Sequence, residues 1–542
     1  MRIVIVGGVA GGMSTATRLR RLDEESEIVV FERGPEVSYA NCGLPYYVGG
    51  VISERSQLLL QTPESLHRRF RLDVRVRHEI LTIDRGAKTV TVRDTVRNTE
   101  ALEPYDKLVL AVGAQPRIAS DLGGIPVRNM RTVEDADEII AVLPEHGHRA
   151  VAVLGGGYTG LEAAENLAHR GALVTLVHRG PHLLSPLDPE MTSPAIATLR
   201  AHGVEVRLNT DVTGADADGL QLSDGSHLPV ALVVDATGIT PETWLAKHAG
   251  LLLGPTGGIH VDEHCRTSDP DIFAVGDSVE KNDLVGGSPA LVAMAGLANR
   301  HGRMVADIIA GGSPTMAPAL GTGIVEIFGL ALAKVGWSER RAREAGIPHY
   351  VVHVHPGSHA GYYPGAETLA MKLIAASDDD RILGAQVVGR DGVDKRIDVI
   401  ATAMQAGIPA ARLAGLELAY APQFGSAKDA VNILGYVAEN TRTGTTPTVQ
   451  WHELDAACAA GATLLDVRDR VEFDAGSIPG AINIPLDELR ARRDELPDGE
   501  LIVHCQVGQR GHYATRILAQ WGRRVRNLDG GYRTWLAGEF SG

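Results

Sequence analysis

The chain is poor in cysteine, in aromatics and in uninterrupted apolar sequence. Its 542 residues hold four cysteines, Cys42, Cys265, Cys458 and Cys505. That is too few for the disulfide framework of a small secreted domain, so reduced thiols in a cytoplasmic compartment are expected. Phe, Tyr and Trp together make up 4% of the residues, which argues against an aromatic-rich recognition surface. Positive charge is in deficit: 52 Lys and Arg face 67 Asp and Glu, a formal net charge of −15. Such a field repels a nucleic-acid backbone, so DNA and RNA are poor partners. No apolar run nears the length of a membrane-spanning helix, and Met1 leads into a β-branched run with no basic leader. Neither an anchor nor a secretory signal is expected, and no metal site is evident.

What is present points to a large globular chain. Apolar residues are 44% and charged residues 22%, which excludes disorder on the whole-chain scale. At roughly 100 to 200 residues per domain, three to five domains are expected. The 62 glycines favour many tight β-to-α turns.

Residues 2–6 form a short β-branched run, 7–12 are glycine-rich, 13–22 have helical apolar spacing, and 28–31 form a second β run. That is a βαβ unit. The pattern recurs at 151–154, 155–160, 161–169 and 173–177, so two dinucleotides are implied. Short β runs at 108–113, 232–238 and 272–276 end in glycine turns and read as parallel strands carrying ligand loops. Residues 321–437 alternate strand-like and helical stretches as an α+β unit. Residues 439–449 are polar, Thr-rich and contain a proline, which reads as a linker. The remainder again alternates short β runs with helices.

The first glycine loop is Gly7-Gly8-Val9-Ala10-Gly11-Gly12, and Glu32 closes the second strand 20 residues after Gly12. Backbone N–H groups at the helix start suit a pyrophosphate, and Glu32 suits ribose hydroxyls. The second loop keeps Gly155, Gly157 and Gly160, but His178 and Arg179 stand where an acid would select NADH. With no carboxylate to repel a 2′-phosphate, NADPH should be tolerated. Cys42 is the only cysteine among the first 264 residues and lies in the run SYANCGLPYY, residues 38–47. Cys505 follows the apolar run 501–503 and opens a loop closed by Arg510, a setting that surrounds sulfur with backbone N–H groups.

With the segment TSDPDIFAVGDSVE at 267–280, the two glycine loops make the chain resemble the flavoprotein disulfide reductases that bind two dinucleotides. In that family the aspartate of the GD pair, here Asp277 beside Gly276, holds the FAD ribityl chain. The resemblance also implies that Arg33, Ala111, Gly113 and Ala295 complete the FAD site. Tyr158 would cover the flavin, while Glu162 and Gly238 would belong to the NAD(P)H site. Glutathione-reductase-type members carry two cysteines where this chain has Cys42 alone. The SYANCGLPYY run is instead similar to the coenzyme A disulfide reductases, in which a single cysteine forms a mixed disulfide with CoA. A low-pKa thiolate at Cys42 is then expected.

Ser38 and Asn41 flank that thiol and, with basic Arg18, Arg21 and Arg71, are candidates to bind CoA. Residues 359–365 and 418–422 fall in what the resemblance makes a dimerisation domain, where tyrosines of one subunit reach the cysteine of the other; Tyr363 and Tyr420 match best. Residues 464–469, 472–483 and 504–510 match the rhodanese homology domain, which makes Cys505 a sulfur carrier with Arg510 at its loop.

The expected class is thus α/β: two Rossmann-like domains, an α+β dimerisation domain and a C-terminal rhodanese domain. The boundaries read are 1–113 with 235–315 for FAD, 114–234 for NAD(P)H, 320–437 for dimerisation, 438–449 for a linker and 450–542 for rhodanese. The whole resembles fused CoA-disulfide or CoA-persulfide (polysulfide) reductases acting as cytoplasmic homodimers. Single-cysteine relatives that reduce oxygen carry a histidine in the first glycine loop. Ala10 stands there in this chain, which weighs against an NADH oxidase. A third reading is a sulfurtransferase with a regulatory flavin module.

Overall fold

A computed structural model describes residues 1–117, 122–143 and 149–540. Short stretches of the expected NAD(P)H domain and the last two residues of the expected rhodanese range therefore lie outside the described residues. The chain divides into two compact units, Met1–Val177 with Thr210–Gly321, and His178–Asn209 with Thr322–Gly542.

The first unit is built on two parallel sheets. In one, strands Ile272–Ala274, Lys107–Leu110, Arg2–Val6, Glu27–Glu32 and Asp73–Val76 lie side by side in that order. Val6 is level with both Phe31 and Leu110, so three strands end together and their loops share one edge. Helix Ala10–Leu22 covers one face, its Met13, Ala16 and Leu19 buried against Ile3, Ile5 and Val30. Helix Ala295–Ile309 packs beside it closely enough that the Thr15 hydroxyl donates to Gly302 O at 3.1 Å. In the other parallel sheet, Ala150–Leu154 lies between Leu173–Val177 and Leu232–Asp235. Antiparallel strands His78–Asp84, Thr89–Asp94 and Thr99–Pro104 add a separate small sheet.

The second unit contains an antiparallel sheet ordered Gly323–Ile327, Leu330–Gly336, Ile382–Gly389, Ala370–Ala376, His349–Val354, with helices Val393–Gln405 and Ala430–Arg442. It also holds a parallel sheet ordered Thr448–Val449, Val525–Leu528, Leu501–His504, Thr463–Asp466, Ile482–Asn483. Strand Leu501–His504 is wholly buried in the middle of that sheet, as its uninterrupted apolar run requires.

One segment differs from its reading. The linker read at 438–449 is mostly structured, because helix Ala430–Arg442 runs five residues into it and strand Thr448–Val449 occupies its end. The turn between them is tied down, with Thr446 Oγ1 2.7 Å from His512 Nδ1 and Asn527 N–H donating to Pro447 O. A polar, Thr-rich composition marks a loop but does not distinguish a tethered loop from a free one. Residues 178–209 group with the second unit. Asp188 and Glu190 in that segment are buried carboxylates whose countercharge is Lys372.

Candidate functional sites

The first glycine loop is forced by close approach. A side chain on Gly12 would lie 1.9 Å from Gly7 O, and the second loop repeats this at Gly160, 1.8 Å from Gly155 O. Only hydrogen fits at either position, so helix and strand meet closely and leave the first-turn amides of Ala10 and Gly11 facing the loop mouth. Val9 caps that helix without a side-chain hydrogen bond. The Glu32 carboxylate accepts from Gly8 N–H at 2.7 Å and from Gly34 N–H at 2.8 Å, which fixes the acid at the loop edge. Arg33 beside it is exposed.

Ala111 and Gly113 follow strand Lys107–Leu110, and Gly276 and Asp277 follow strand Ile272–Ala274. The two strands pair in parallel, which brings both loops to the same edge. Ala295 opens helix Ala295–Ile309. Two residues missed in the sequence organise this edge. Lys281, buried, donates to Gly276 O at 2.6 Å and Val279 O at 2.9 Å, and burial lowers its ammonium to about 8. Arg131 lies 3.6 Å from Asp277. Neither has a local sequence signal. The buried hydroxyls of Tyr158 and Ser278 have no hydrogen-bond partner among the described residues. Together with the free first-turn amides, they fit a bound dinucleotide.

The Cys42 segment is hung on the first glycine loop. Ser38 N–H donates to Gly8 O at 2.8 Å and Leu60 N–H to Ser38 O at 3.1 Å. Ser38 itself holds a left-handed φ of 52°. Cys42 then sits in the turn Asn41–Gly43 ahead of helix Leu44–Val48. It is exposed, with Sγ 3.7 Å from Asn41 Oδ1.

The expectation of a lowered thiol is not met by its protein neighbours. Partial burial pushes Cys42 up, the Glu162 and Asp277 carboxylates add to this, and only Arg131 opposes. Glu162 is raised by burial to about 7 and accepts from Tyr46 Oη at 3.4 Å, four residues beyond Cys42. The Tyr158 hydroxyl is also buried, and burial pushes the phenol up to about 12.

Of the residues expected at the NAD(P)H site, Gly155, Gly157, Gly160, Tyr158, Glu162 and Gly238 lie in the first unit. His178 and Arg179 fall in the second unit. His178 is half-buried, and burial lowers its imidazole, whereas Arg179 is exposed. Of the basic CoA candidates, Arg18 pairs with Asp307 at 2.7 Å. Arg21 is exposed. Arg71 is exposed, with a distant partner in Glu24 at 3.8 Å. Tyr363 and Tyr420 are both exposed, and Tyr420 Oη is 2.6 Å from Tyr362 Oη. Tyr363 packs edge-on against His359. The phenol pair at the surface therefore joins Tyr420 to Tyr362 rather than to Tyr363.

Cys505 is fully buried between strand Leu501–His504 and helix Gln509–Gln520. Its carbonyl accepts from Tyr532 N–H at 2.8 Å, and Asn527 Nδ2 donates to Gly508 O at 3.1 Å. Arg510 is held on Glu472 by two hydrogen bonds of 2.7 and 2.8 Å. Arg468, unassigned from the sequence, is buried under the loop. It pairs with Asp466, donates to Gln506 Oε1 at 3.2 Å and stacks over the Tyr532 ring at 4.3 Å. Cys265 is buried and pushed up to about 12, and Cys458 is also raised by burial; neither has the surroundings of a nucleophile.

Comparison with known proteins agrees with this geometry. The family described as pyridine nucleotide-disulphide oxidoreductase matches residues 1–299, its dimerisation domain 324–431, and the rhodanese-like domain 450–538. The coenzyme A disulfide reductase of Staphylococcus epidermidis is 34% identical over 439 residues, 81% of this chain and 100% of that protein. The reduced Bacillus anthracis CoADR-RHD structure is 45% identical, covers 99% of this chain and 98% of its own, and superposes with a TM-score of 0.97. A NAD-dependent persulfide reductase from A. fulgidus is 37% identical over 99% of this chain and all of its own, with a TM-score of 0.92. The chain belongs to the pyridine nucleotide-disulphide oxidoreductases, in the coenzyme A disulfide reductase branch that carries a C-terminal rhodanese domain.

Proposed function

We propose that this chain is an FAD-dependent NAD(P)H:CoA-disulfide or CoA-persulfide reductase, with Cys42 as its redox thiol and Cys505 as a sulfane-sulfur carrier. The observation that carries it is the Ser38 N–H bond to Gly8 O, which seats a single cysteine at the mouth of a dinucleotide loop. Bound FAD supplies the two-electron link between nicotinamide and sulfur. The chain supplies the rest. Cys42 thiolate attacks CoA disulfide, forms Cys42–S–S–CoA and releases CoA thiolate. Two electrons and a proton then return Cys42 thiolate and free CoA. With CoA persulfide the leaving group in the first step is hydrosulfide. Glu162, neutral below about 7, can hold the proton that the departing thiolate needs. Ser38 and Asn41, with the basic Arg18, Arg21 and Arg71, would hold CoA, and Glu32, Asp277 and the loop amides would hold FAD.

Cys505, buried at the head of its loop, accepts sulfur and hands it to a second thiol, with Arg510 at the loop. The enzyme works as a homodimer, in keeping with its dimerisation domain, and Tyr363 and Tyr420 would serve the partner's thiol. No described helix is long and apolar enough to cross a membrane; we place the enzyme in the cytoplasm. With no acid at His178, either nicotinamide is accepted.

The test is anaerobic oxidation of NADH and NADPH by the full chain, given CoA disulfide or CoA persulfide, for wild type, Cys42→Ser and Cys505→Ser. Turnover that needs Cys42 supports the reading. Oxidation by air alone, with neither sulfur substrate consumed, would replace it with the activity of the water-forming NADH oxidase of Lactobacillus brevis, a structure 26% identical over 82% of this chain and 99% of its own, with a TM-score of 0.78.

A further inference from the structure

In the second unit, three buried carboxylates, Asp188, Glu190 and Glu339, converge as a metal site would require. Their centre already holds Lys372 Nζ, at 2.9, 2.5 and 2.7 Å. The neighbour of this cluster is more informative. His353, on strand His349–Val354, is buried with each ring nitrogen on a different carboxylate: Nδ1 is 2.7 Å from Asp529 Oδ2 and Nε2 is 3.1 Å from Glu190 Oε1. A ring that meets carboxylates at both nitrogens donates at both, which makes it an imidazolium. Its main-chain N–H also donates to Asp529 at 2.9 Å, and Gln450 Nε2 adds a further bond at 3.2 Å.

Asp529 opens the segment Asp529–Thr534, whose other side carries the sulfur loop. Tyr532 N–H holds Cys505 O at 2.8 Å, and Arg533 N–H holds Gln506 O at 3.0 Å. Gly531 lies so close that a side chain there would meet Cys505 O at 2.4 Å. Thr534 Oγ1, at the far end of the segment, is 2.8 Å from His355 Nε2. The segment is thus clamped at one end by His353 of the antiparallel sheet and at the other by His355, just past the end of that strand, and presses on the Cys505 loop between them.

We infer that His353 is a positioning residue for sulfur transfer: through Asp529 it fixes the segment that shapes the Cys505 loop, so the sheet of residues 323–389 forms part of the sulfur-carrier site. The inference rests on the reading of Cys505 as the carrier. The groups facing His353 are Asp529 and Glu190, which favour its proton, and Lys372, which opposes it. The adjacent His355 is kept neutral by burial and by Arg533. The balance raises His353 to about 9. Both of its side-chain bonds are therefore made at neutral pH, and one of the two is lost as pH rises through about 9, while the main-chain bond to Asp529 remains.

The experiment uses the full chain and thiosulfate as probe. Cys505 thiolate attacks the outer sulfur, forms Cys505–S–S⁻ and releases sulfite, and single-turnover sulfite release is followed from pH 7 to 10, with persulfide on Cys505 confirmed by mass. We expect a wild-type rate that falls with a midpoint near 9. His353→Asn, whose amide can still donate to Asp529 but does not titrate, should keep at least half of the neutral-pH rate and lose the alkaline fall. His353→Gln should lose about tenfold, with CoA-disulfide reduction within twofold of wild type. A wild-type profile with no alkaline fall, or a His353→Asn profile identical to one that falls, overturns the positioning role. The wild-type arm does so even if a variant fails to fold. Sulfite release that survives Cys505→Ser, or none from wild type, overturns the carrier reading itself and the inference with it.

Discussion

Cys42 and Cys505 each stand just ahead of a helix, yet their surroundings are opposite. Cys42 is exposed on a short turn, its polar contact a neighbouring amide oxygen at 3.7 Å and its nearest charges mainly carboxylates. Cys505 is wholly buried in a loop pinned by main-chain bonds to the segment that follows strand Val525–Leu528. A thiol that must meet a bulky disulfide has to be reachable, and its reactivity then depends on what binds beside it. A thiol that stores sulfur can be enclosed, with fixed backbone dipoles as its stabiliser.

The sharpest way to test this difference is to remove each sulfur. Cys42→Ser should lower NAD(P)H oxidation with CoA disulfide by about 100-fold or more, whereas Cys505→Ser should leave it within about twofold. Loss on both would merge the two sites into one pathway. Next in size is the backbone that encloses Cys505. Gly531 has a φ of 64° and no room for a side chain, so Gly531→Ala should cost the second unit about 3 kcal/mol. A lowered urea midpoint would report it, with reduction at Cys42 intact. The charge around Cys42 comes third. Glu162→Gln removes a carboxylate that holds the thiol up, so alkylation by iodoacetamide at pH 8 should quicken about threefold. The gap should close below pH 7, where Glu162 is itself neutral in wild type. The smallest effect is expected at Arg510, whose two hydrogen bonds to Glu472 lie near the surface. A double-mutant cycle on the pair should give less than about 1 kcal/mol of coupling.

The parts of the molecule fixed by local geometry were legible in the sequence. Gly12 and Gly160 are where helix must touch strand, Glu32 ends its strand at the loop edge, and both cysteines announce themselves by their short surrounding runs. The residues that escaped notice act across long separations. His353 meets Asp529 from 176 positions away, and Lys372 meets Glu190 from 182. Lys281 and Arg468 drew no role from the sequence, because nothing in their neighbours signals burial. The upward push on the Cys42 thiol was hidden for the same reason. Glu162 is 120 positions onward, and only the fold brings its carboxylate near. The tyrosines were located but their pairing was not: of 362 and 363, it is Tyr362 that meets Tyr420.

The clamp on Asp529 also bears on where this protein can be cut. The staphylococcal reductase matches 439 residues of this chain, a length that invites ending a shortened protein where the rhodanese-like domain begins. Trimming there deletes Asp529 and Gln450 and leaves the imidazolium of His353 facing Glu190 alone, beside an ammonium. Half of its countercharge is gone, so its proton is released more readily and a polar hole opens in the sheet. A shortened version should therefore be made with a smaller, uncharged residue in place of His353, or it will carry the imprint of the missing module.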